Sequence, residues 1–263
     1  MDLTNTIGSR HNERYKALVR QLGGKLPHGR IVLEGRRLVA DALDSGVEPE
    51  LLIFSDDPSG RQAADMWQRT SGERLFLAPD LFNRLADTVT PQGVIMLGTV
   101  TELDLGDLDF TRARRIVLLD GLADPGNVGT ICRSAEAFGF STVIWLQGGA
   151  SPFSRKAARA SMGSVLRLDI VTAGNVAEAL ATLAASGVRV LALDASGRPI
   201  ADVNGADGPL CLIVGNEAHG LSQAARDAVS GLLRIPMQGS VESLNAAVAT
   251  AIAMYEMGKG ICK

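Results

Sequence analysis

The sequence predicts an α/β fold: a parallel sheet with its helices in the C-terminal half, and a smaller α/β domain ahead of it. Three observations carry this. Short apolar runs alternate with stretches of helical periodicity along most of the chain, which is the grammar of α/β architecture. The runs RIVLLD (115–120) and PLCLIV (209–214) carry unbroken apolar stretches, Ile116–Leu119 and Pro209–Val214, as expected of strands covered on both faces. Finally, three strand ends pass through polar, Gly-containing loops directly into helices.

Residues 11–22 have helical character, with Tyr15, Leu18, Val19 and Leu22 spaced for one face. Strands are expected at 30–33, 50–55, 74–77 and 93–100, with helices at 37–45, 61–70 and 79–86. Gly46 stops the first of these helices. This makes a small α/β sandwich over residues 1–100. Residues 101–114, acidic and then basic, read as a linker.

The second domain is assigned to 115–263. After RIVLLD comes GLADPGNVGTICRSAEAFG, a Gly/Pro loop running into a helix that ends at Gly139. Strands follow at 142–146, 165–171 and 188–194, with a helix or turn at 155–163 and a helix at 175–186 closed by Gly187. The PLCLIV strand leads through GNEAHGLS into a helix from about Leu221. The last strand, LLRI (232–235), is stopped by Pro236, which has no N–H for a sheet ladder. Gly239 is free to take φ > 0 in the loop beyond it. Ser243 stands in an N-cap position ahead of an Ala-rich helix whose Leu244, Val248, Ile252 and Tyr255 form one apolar stripe. Ligands of open α/β sheets bind outside the carboxyl ends of strands, so the three polar junctions point to one composite site.

Composition narrows the function. In 263 residues, 46% hydrophobic, no apolar run reaches the length of a membrane span. The N-terminal residues lack a signal-peptide core, and Cys132, Cys211 and Cys262 form no CxxC pair or His/Cys cluster. A reducing cytoplasm without a metal centre is the expectation. No GxGxxG follows a strand and no GxxxxGK[ST] occurs, which argues against dinucleotide and P-loop sites. Net charge is −3, yet residues 1–40 hold eight Lys/Arg against three Asp/Glu, so that segment is +5 and the remainder −8. A basic segment on an acidic body suits phosphate contact at one end, although a solvated helix face has the same composition.

Three stretches then carry a resemblance. NxGxxxRxxxxFG (Asn127, Gly129, Arg133, Phe138, Gly139), GNExxGLS (215–222) and IPMxGxxxSLNxAxAxxIxxYE (235–256) resemble, in order and spacing, the signature motifs of the SpoU/TrmH family of RNA ribose 2′-O-methyltransferases, in the SPOUT superfamily. SRKAARASMGSVLRL (154–168) is similar to the family's stretch between the first two motifs. The N-terminal region resembles the family's L30e-like substrate-binding domain through Asn12, Lys16 and VLEGRRLVADAL (32–43). Pattern alone predicts an unknotted doubly wound sheet, because knots are rare. The resemblance implies instead a SPOUT domain with a parallel sheet and a deep trefoil knot, and a homodimer packed through the knotted region. It also implies methyl transfer from S-adenosyl-L-methionine without a metal, on ribosomal RNA. Transfer RNA as substrate, or a non-catalytic RNA-binding protein on the same fold, are the alternatives.

By the same resemblance the catalytic candidates are Arg133, Asn127, Glu217, Ser243 and Asn245. Arg133, one turn into its helix, is assigned to the ribose 2′-hydroxyl. A guanidinium is poorly suited to act as a plain base, so holding phosphate and polarising the hydroxyl is the favoured role. A salt bridge to Glu136 or Glu217 is the competing reading. Asn127 could be an N-cap and Glu217 a helix-start carboxylate or the orienter of Arg133 or a loop amide. Ser243 could be only a cap; Asn245, expected inside the helix, is less suited to that. Cofactor contacts are assigned to Gly215, Asn216, Gly220, Ile235, Met237 and Leu244, with Leu193 to Ser196 as a further wall. Ser161 matches a family position near the site. His219 reads as a hydrogen-bonded loop histidine and Cys132 as packing.

Overall fold

The computed structural model describes residues 6–24, 26–68, 70–203, 208–238 and 243–259. The expectations for Gly239, Cys262 and Lys25 lie outside the described residues. The chain falls into two compact units, 1–101 with 153–155, and 102–152 with 156–263.

The first unit contains β1 (Thr6–Ile7), α1 (Glu13–Gly23), β2 (Arg30–Glu34), α2 (Arg36–Asp44), β3 (Glu48–Ser55), α3 (Pro58–Met66), β4 (Glu73–Leu77), α4 (Pro79–Leu85) and β5 (Val94–Thr99). Its sheet runs β1-β4-β3-β5-β2, with β1 and β3 parallel to β4 and β5 antiparallel to both β2 and β3. Asn12 caps α1 by accepting from the amides of Arg14 and Tyr15. Tyr15, Leu18 and Leu22 then pack with Ile53, Leu77, Phe82 and Ile95, whereas Val19 stays exposed at the margin of the stripe. Helix α3 starts at Pro58 rather than Arg61, because Asp57 caps it through the Gly60 amide and Pro58 has a φ suited to the first turn. The two-residue β1 is too short to leave a periodic signal.

The second unit contains β6 (Leu103–Asp104), β7 (Arg115–Asp120), α5 (Pro125–Ala137), β8 (Thr142–Leu146), α6 (Arg155–Ala160), β9 (Asp169–Ala173), α7 (Val176–Ala185), β10 (Arg189–Pro199), β11 (Leu210–Gly215), α8 (Gln223–Ala228), β12 (Gly231–Arg234) and α9 (Ala246–Gly258). Its seven strands are ordered β12-β10-β11-β7-β8-β9-β6, and every pairing is parallel.

Three expectations change here. The segment read as a linker supplies edge strand β6, whose Leu103 pairs beside Val171, and buries Leu105 and Leu108 in the core. The strand expected from Val165 begins at Asp169. Gly163 takes a left-handed φ of 85° and starts a 3-10 turn, so Val165 is buried in a turn instead. The apolar stripe of α9 faces outward: Ala247, Thr250, Ala253 and Met254 are buried, while Val248 and Tyr255 are 48% and 53% exposed. Helix α9, whose buried face also includes Met257 and Gly258, packs against α5.

Candidate active site

The carboxyl ends of β7 and β11 and the start of α9 meet, and each brings a polar side chain from a different stretch of sequence. Helix α5 is capped by Asp124, which accepts from the Gly126 amide, with Pro125 in the first turn. Asn127 is therefore not the cap, and its side chain is available for tertiary bonds. Its Nδ2 donates to Glu217 Oε1 at 2.9 Å and its Oδ1 accepts from Asn245 Nδ2 at 3.0 Å. Glu217 also accepts from the amides of Ala123 and Asp124, at 3.1 and 3.3 Å. Asn245 completes the chain of bonds as the N-cap of α9, with Oδ1 accepting from the amides of Ala247 and Val248. The sequence reading placed the cap at Ser243; the helix begins two residues later, and Ser243 is exposed ahead of it.

Partial burial disfavours ionisation of Glu217, but the hydrogen bonds from Asn127 and from the Ala123 and Asp124 amides outweigh it. Its carboxyl is held below the usual glutamate range. It thus orients loop amides, not Arg133. Arg133 lies in the third turn of α5, further along than expected, and is exposed. It makes no hydrogen bond or ion pair among the described residues. Neither salt bridge considered for it forms, because Glu136 pairs with Arg167 and Glu217 is occupied as described.

The second stretch, GNEAHG, is a closed loop. Asn216 and Gly220 exchange backbone hydrogen bonds, and a Cβ on Gly215 would lie 2.4 Å from the Gly220 carbonyl carbon. Asn216 fastens this loop by donating from Nδ2 to the Gly121 carbonyl and accepting at Oδ1 from the amides of Ala218 and His219. The His219 ring lies 3.1 Å from the same oxygen, as a loop histidine should. Ser222 caps α8 and its amide donates to Asp120.

Beside this network is a cleft of about 390 Å³, within the size range of small-molecule sites. One wall is Leu193, Asp194 and Ala195 from β10. A second is Leu233, Arg234, Ile235 and Met237 at the end of β12. Ser243, Leu244 and Ala249 close it. Of the expected cofactor residues, Leu193, Ile235, Met237 and Leu244 line the cleft. Gly215, Asn216 and Gly220 do not; they build the neighbouring loop. Ser161 is fully buried, its hydroxyl donating to the Ala158 carbonyl, and it does not line the cleft. Cys132 is buried as well, which pushes its thiol up to about 12 and leaves it a packing residue. The sequence reading missed Asp124 and Asp120, while Leu193, Asp194 and Ala195 of the expected further wall do line the cleft. For Asp124 a signal existed, since Asp-Pro before a helical pattern marks a cap and first turn. Among the described residues no group of three or more His, Cys, Asp or Glu is arranged to hold a metal.

Comparison with known proteins adds independent findings. The family model for the SpoU rRNA Methylase family matches residues 114–255, and that for an MRM3-like substrate binding domain matches 25–96. The 23S rRNA (guanosine(2553)-2′-O)-methyltransferase RlmP of Bacillus subtilis is 33% identical over 229 residues, which are 86% of this chain and 87% of that protein. An AdoMet-bound rRNA methyltransferase from Sinorhizobium meliloti is 30% identical and superposes with a TM-score of 0.87 over 98% of each chain. The SpoU methyltransferase AviRb from Streptomyces viridochromogenes, in complex with the cofactor AdoMet, is 28% identical with a TM-score of 0.82, covering 95% of this chain and 98% of that one.

Proposed function

Because the chain belongs to the SpoU rRNA methylase family, we propose that it is an S-adenosyl-L-methionine-dependent RNA 2′-O-ribose methyltransferase acting on ribosomal RNA. The observation that carries this reading is the bonded series Glu217–Asn127–Asn245, one residue from each motif, beside a cleft of about 390 Å³. The relatives named for ribosomal RNA favour that substrate over transfer RNA. Methyl transfer to separated RNA pools tests the assignment.

The cleft suits the cofactor. Leu193, Leu233, Ile235, Met237 and Leu244 offer apolar surface for a purine, and Ser243 offers a hydroxyl at the same walls. When bound, S-adenosylmethionine supplies an activated methyl group on a sulfonium. The chain's part is to bring the 2′-hydroxyl into line and assist loss of its proton. Arg133, exposed and with no partner among the described residues, is the group we assign to the RNA: its fork of donors suits a backbone phosphate and can polarise the neighbouring hydroxyl. Asn127, Glu217 and Asn245 are assigned to positioning. Their mutual bonds lock the starts of α5 and α9 and the GNEAHG loop together, so the groups these elements carry keep one geometry. Ser243 lines the cleft two residues before Asn245 and is assigned to the reacting end of the site.

The remaining features follow from the same reading. Residues 1–100 grip the RNA, supported by the match to a substrate binding domain, and 115–263 carry the chemistry. Homodimerisation is supported by the outward apolar side chains of α9, since Val248 and Tyr255 are 48% and 53% exposed and offer apolar surface that a second copy would cover. Family membership supports the trefoil knot. A cytoplasmic location is proposed from the RNA substrate; no helix among the described residues is long and apolar enough to cross a membrane.

A further inference from the structure

The wall formed by β10 is irregular. Leu193 pairs with Leu233 of β12, and so does Arg198, so residues 194–197 leave the ladder as a bulge. Bulges redirect the strand and its side chains and are common beside binding sites. Gly197 permits this one: a Cβ there would lie 2.4 Å from the Leu232 carbonyl carbon and the Leu233 amide nitrogen. The bulge is organised by the carboxylate of Asp194, whose side chain is only 15% exposed. Oδ1 accepts from the Ser196 amide at 3.0 Å and the Ser196 hydroxyl at 2.6 Å, closing a local turn. Oδ2 receives Arg226 Nη1 at 2.8 Å. Arg226 is on α8, the helix that follows the GNEAHG loop, and α8 is held by Ser222, whose amide is bonded to Asp120 at the end of β7. One carboxylate therefore joins the cleft wall to the helix behind the Glu217 loop.

We propose that Asp194 is a positioning residue for the cofactor: held between Ser196 and Arg226, it sets the bulge that walls the cleft. This rests on the reading that the cleft takes S-adenosylmethionine. Bonds from Ser196, then from Arg226, keep the carboxyl below the usual aspartate range, so it is ionised at neutral pH. Arg226 neutralises that charge. The carboxylate thus acts on the cofactor through the shape of the wall, and the cationic sulfonium and the neutral thioether of the product should feel its loss alike.

The test is calorimetric binding of S-adenosylmethionine and S-adenosylhomocysteine to the full chain and to Asp194→Asn, Arg226→Gln and the double variant, with thermal midpoints measured alongside. The expected result is a loss of about tenfold in affinity for both ligands in each single variant, no further loss in the double variant, and midpoints close to wild type. Ser196→Ala, which removes one donor and leaves the ion pair, should show a smaller loss. Unchanged affinity in Asp194→Asn, or additive losses in the double variant, would overturn the proposal. So would a loss confined to S-adenosylmethionine, which would mark a direct charge contact. Failure of the wild-type chain to bind either ligand would overturn the reading of the cleft and this proposal with it. Wild-type binding with unaffected variants would overturn the proposal alone.

Discussion

Asn245 Nδ2 donates to Asn127 Oδ1 at 3.0 Å, joining the N-cap of α9 to the first turn of α5 across 118 positions of sequence. The same Asn245 caps its helix through Oδ1, and the same Asn127 donates to Glu217. One amide thus does two separable things, and substitution can divide them. Asn245→Ala removes both and should cost about 1 kcal/mol of stability as a lost cap, together with most of the turnover. Asn245→Asp keeps an oxygen for the Ala247 and Val248 amides but has no proton for Asn127. It should retain the cap and lose the turnover. Denaturant melts beside initial rates check this; equal stability and equal rate in both variants would remove Asn245 from the site.

Arg133 stands apart from that network. Arg133→Ala should leave cofactor affinity unchanged while turnover falls by two to three orders of magnitude, as on removal of a group that stabilises the transition state (about 10²–10³). Arg133→Lys keeps the charge without the planar fork and should recover little. Single-turnover rates with calorimetric cofactor binding separate the two effects. Full activity in Arg133→Ala would end the role assigned to it.

Glu217 makes the site acid-sensitive in a defined direction. Its carboxyl is held below the ordinary glutamate value of 4.5, chiefly by Asn127 and two loop amides working against desolvation. A depressed folded-state value means that its contribution to stability is fully present above the unfolded value and is lost as pH falls through the folded one. Thermal midpoints followed downward from pH 5 should therefore drop more steeply in the wild type than in Glu217→Gln, which has no proton to gain. Parallel curves would show that the carboxylate is not held by these bonds.

The outward stripe of α9 predicts the oligomeric state. Val248→Glu or Tyr255→Glu places a charge on this apolar surface and should convert a dimer to monomers, read by sedimentation velocity. A wild-type chain that sediments as a monomer at micromolar concentration would contradict the homodimer.

Much of this architecture was legible because it is written in local chemistry. The helix read over 175–186 forms as α7, with Asn175 just outside it as the cap through the Glu178 amide. RIVLLD reads as a doubly covered strand, and all six residues are buried. What escaped depends on partners distant in sequence. Ser243 is as good a cap as Asn245 on local grounds; the helix starts at Asn245, where the side chain also meets Asn127. The apolar stripe of α9 has the period of a core-facing helix, yet the buried face is another one, with Ala247, Thr250, Ala253, Met254, Met257 and Gly258, and the helix packs against α5. Gly258 lies where a Cβ would be 3.1 Å from the Phe138 carbonyl oxygen. The bulge at 194–197 is invisible to periodicity because four residues leave the ladder and the strand then resumes. Within the site, residue types were readable from the three stretches. Which of them bond to one another, and which wall the cleft, is decided only by tertiary contact.

The most direct measurement is transfer of labelled methyl from S-adenosylmethionine to separated RNA pools, followed by alkaline hydrolysis. A 2′-O-methyl ribose blocks cleavage at its own 3′ phosphate, so the account predicts label in alkali-stable dinucleotides derived from ribosomal RNA, entering them about 10²–10³ times more slowly with Arg133→Ala. Label recovered only in mononucleotides would place the methyl on a base and contradict the assigned reaction.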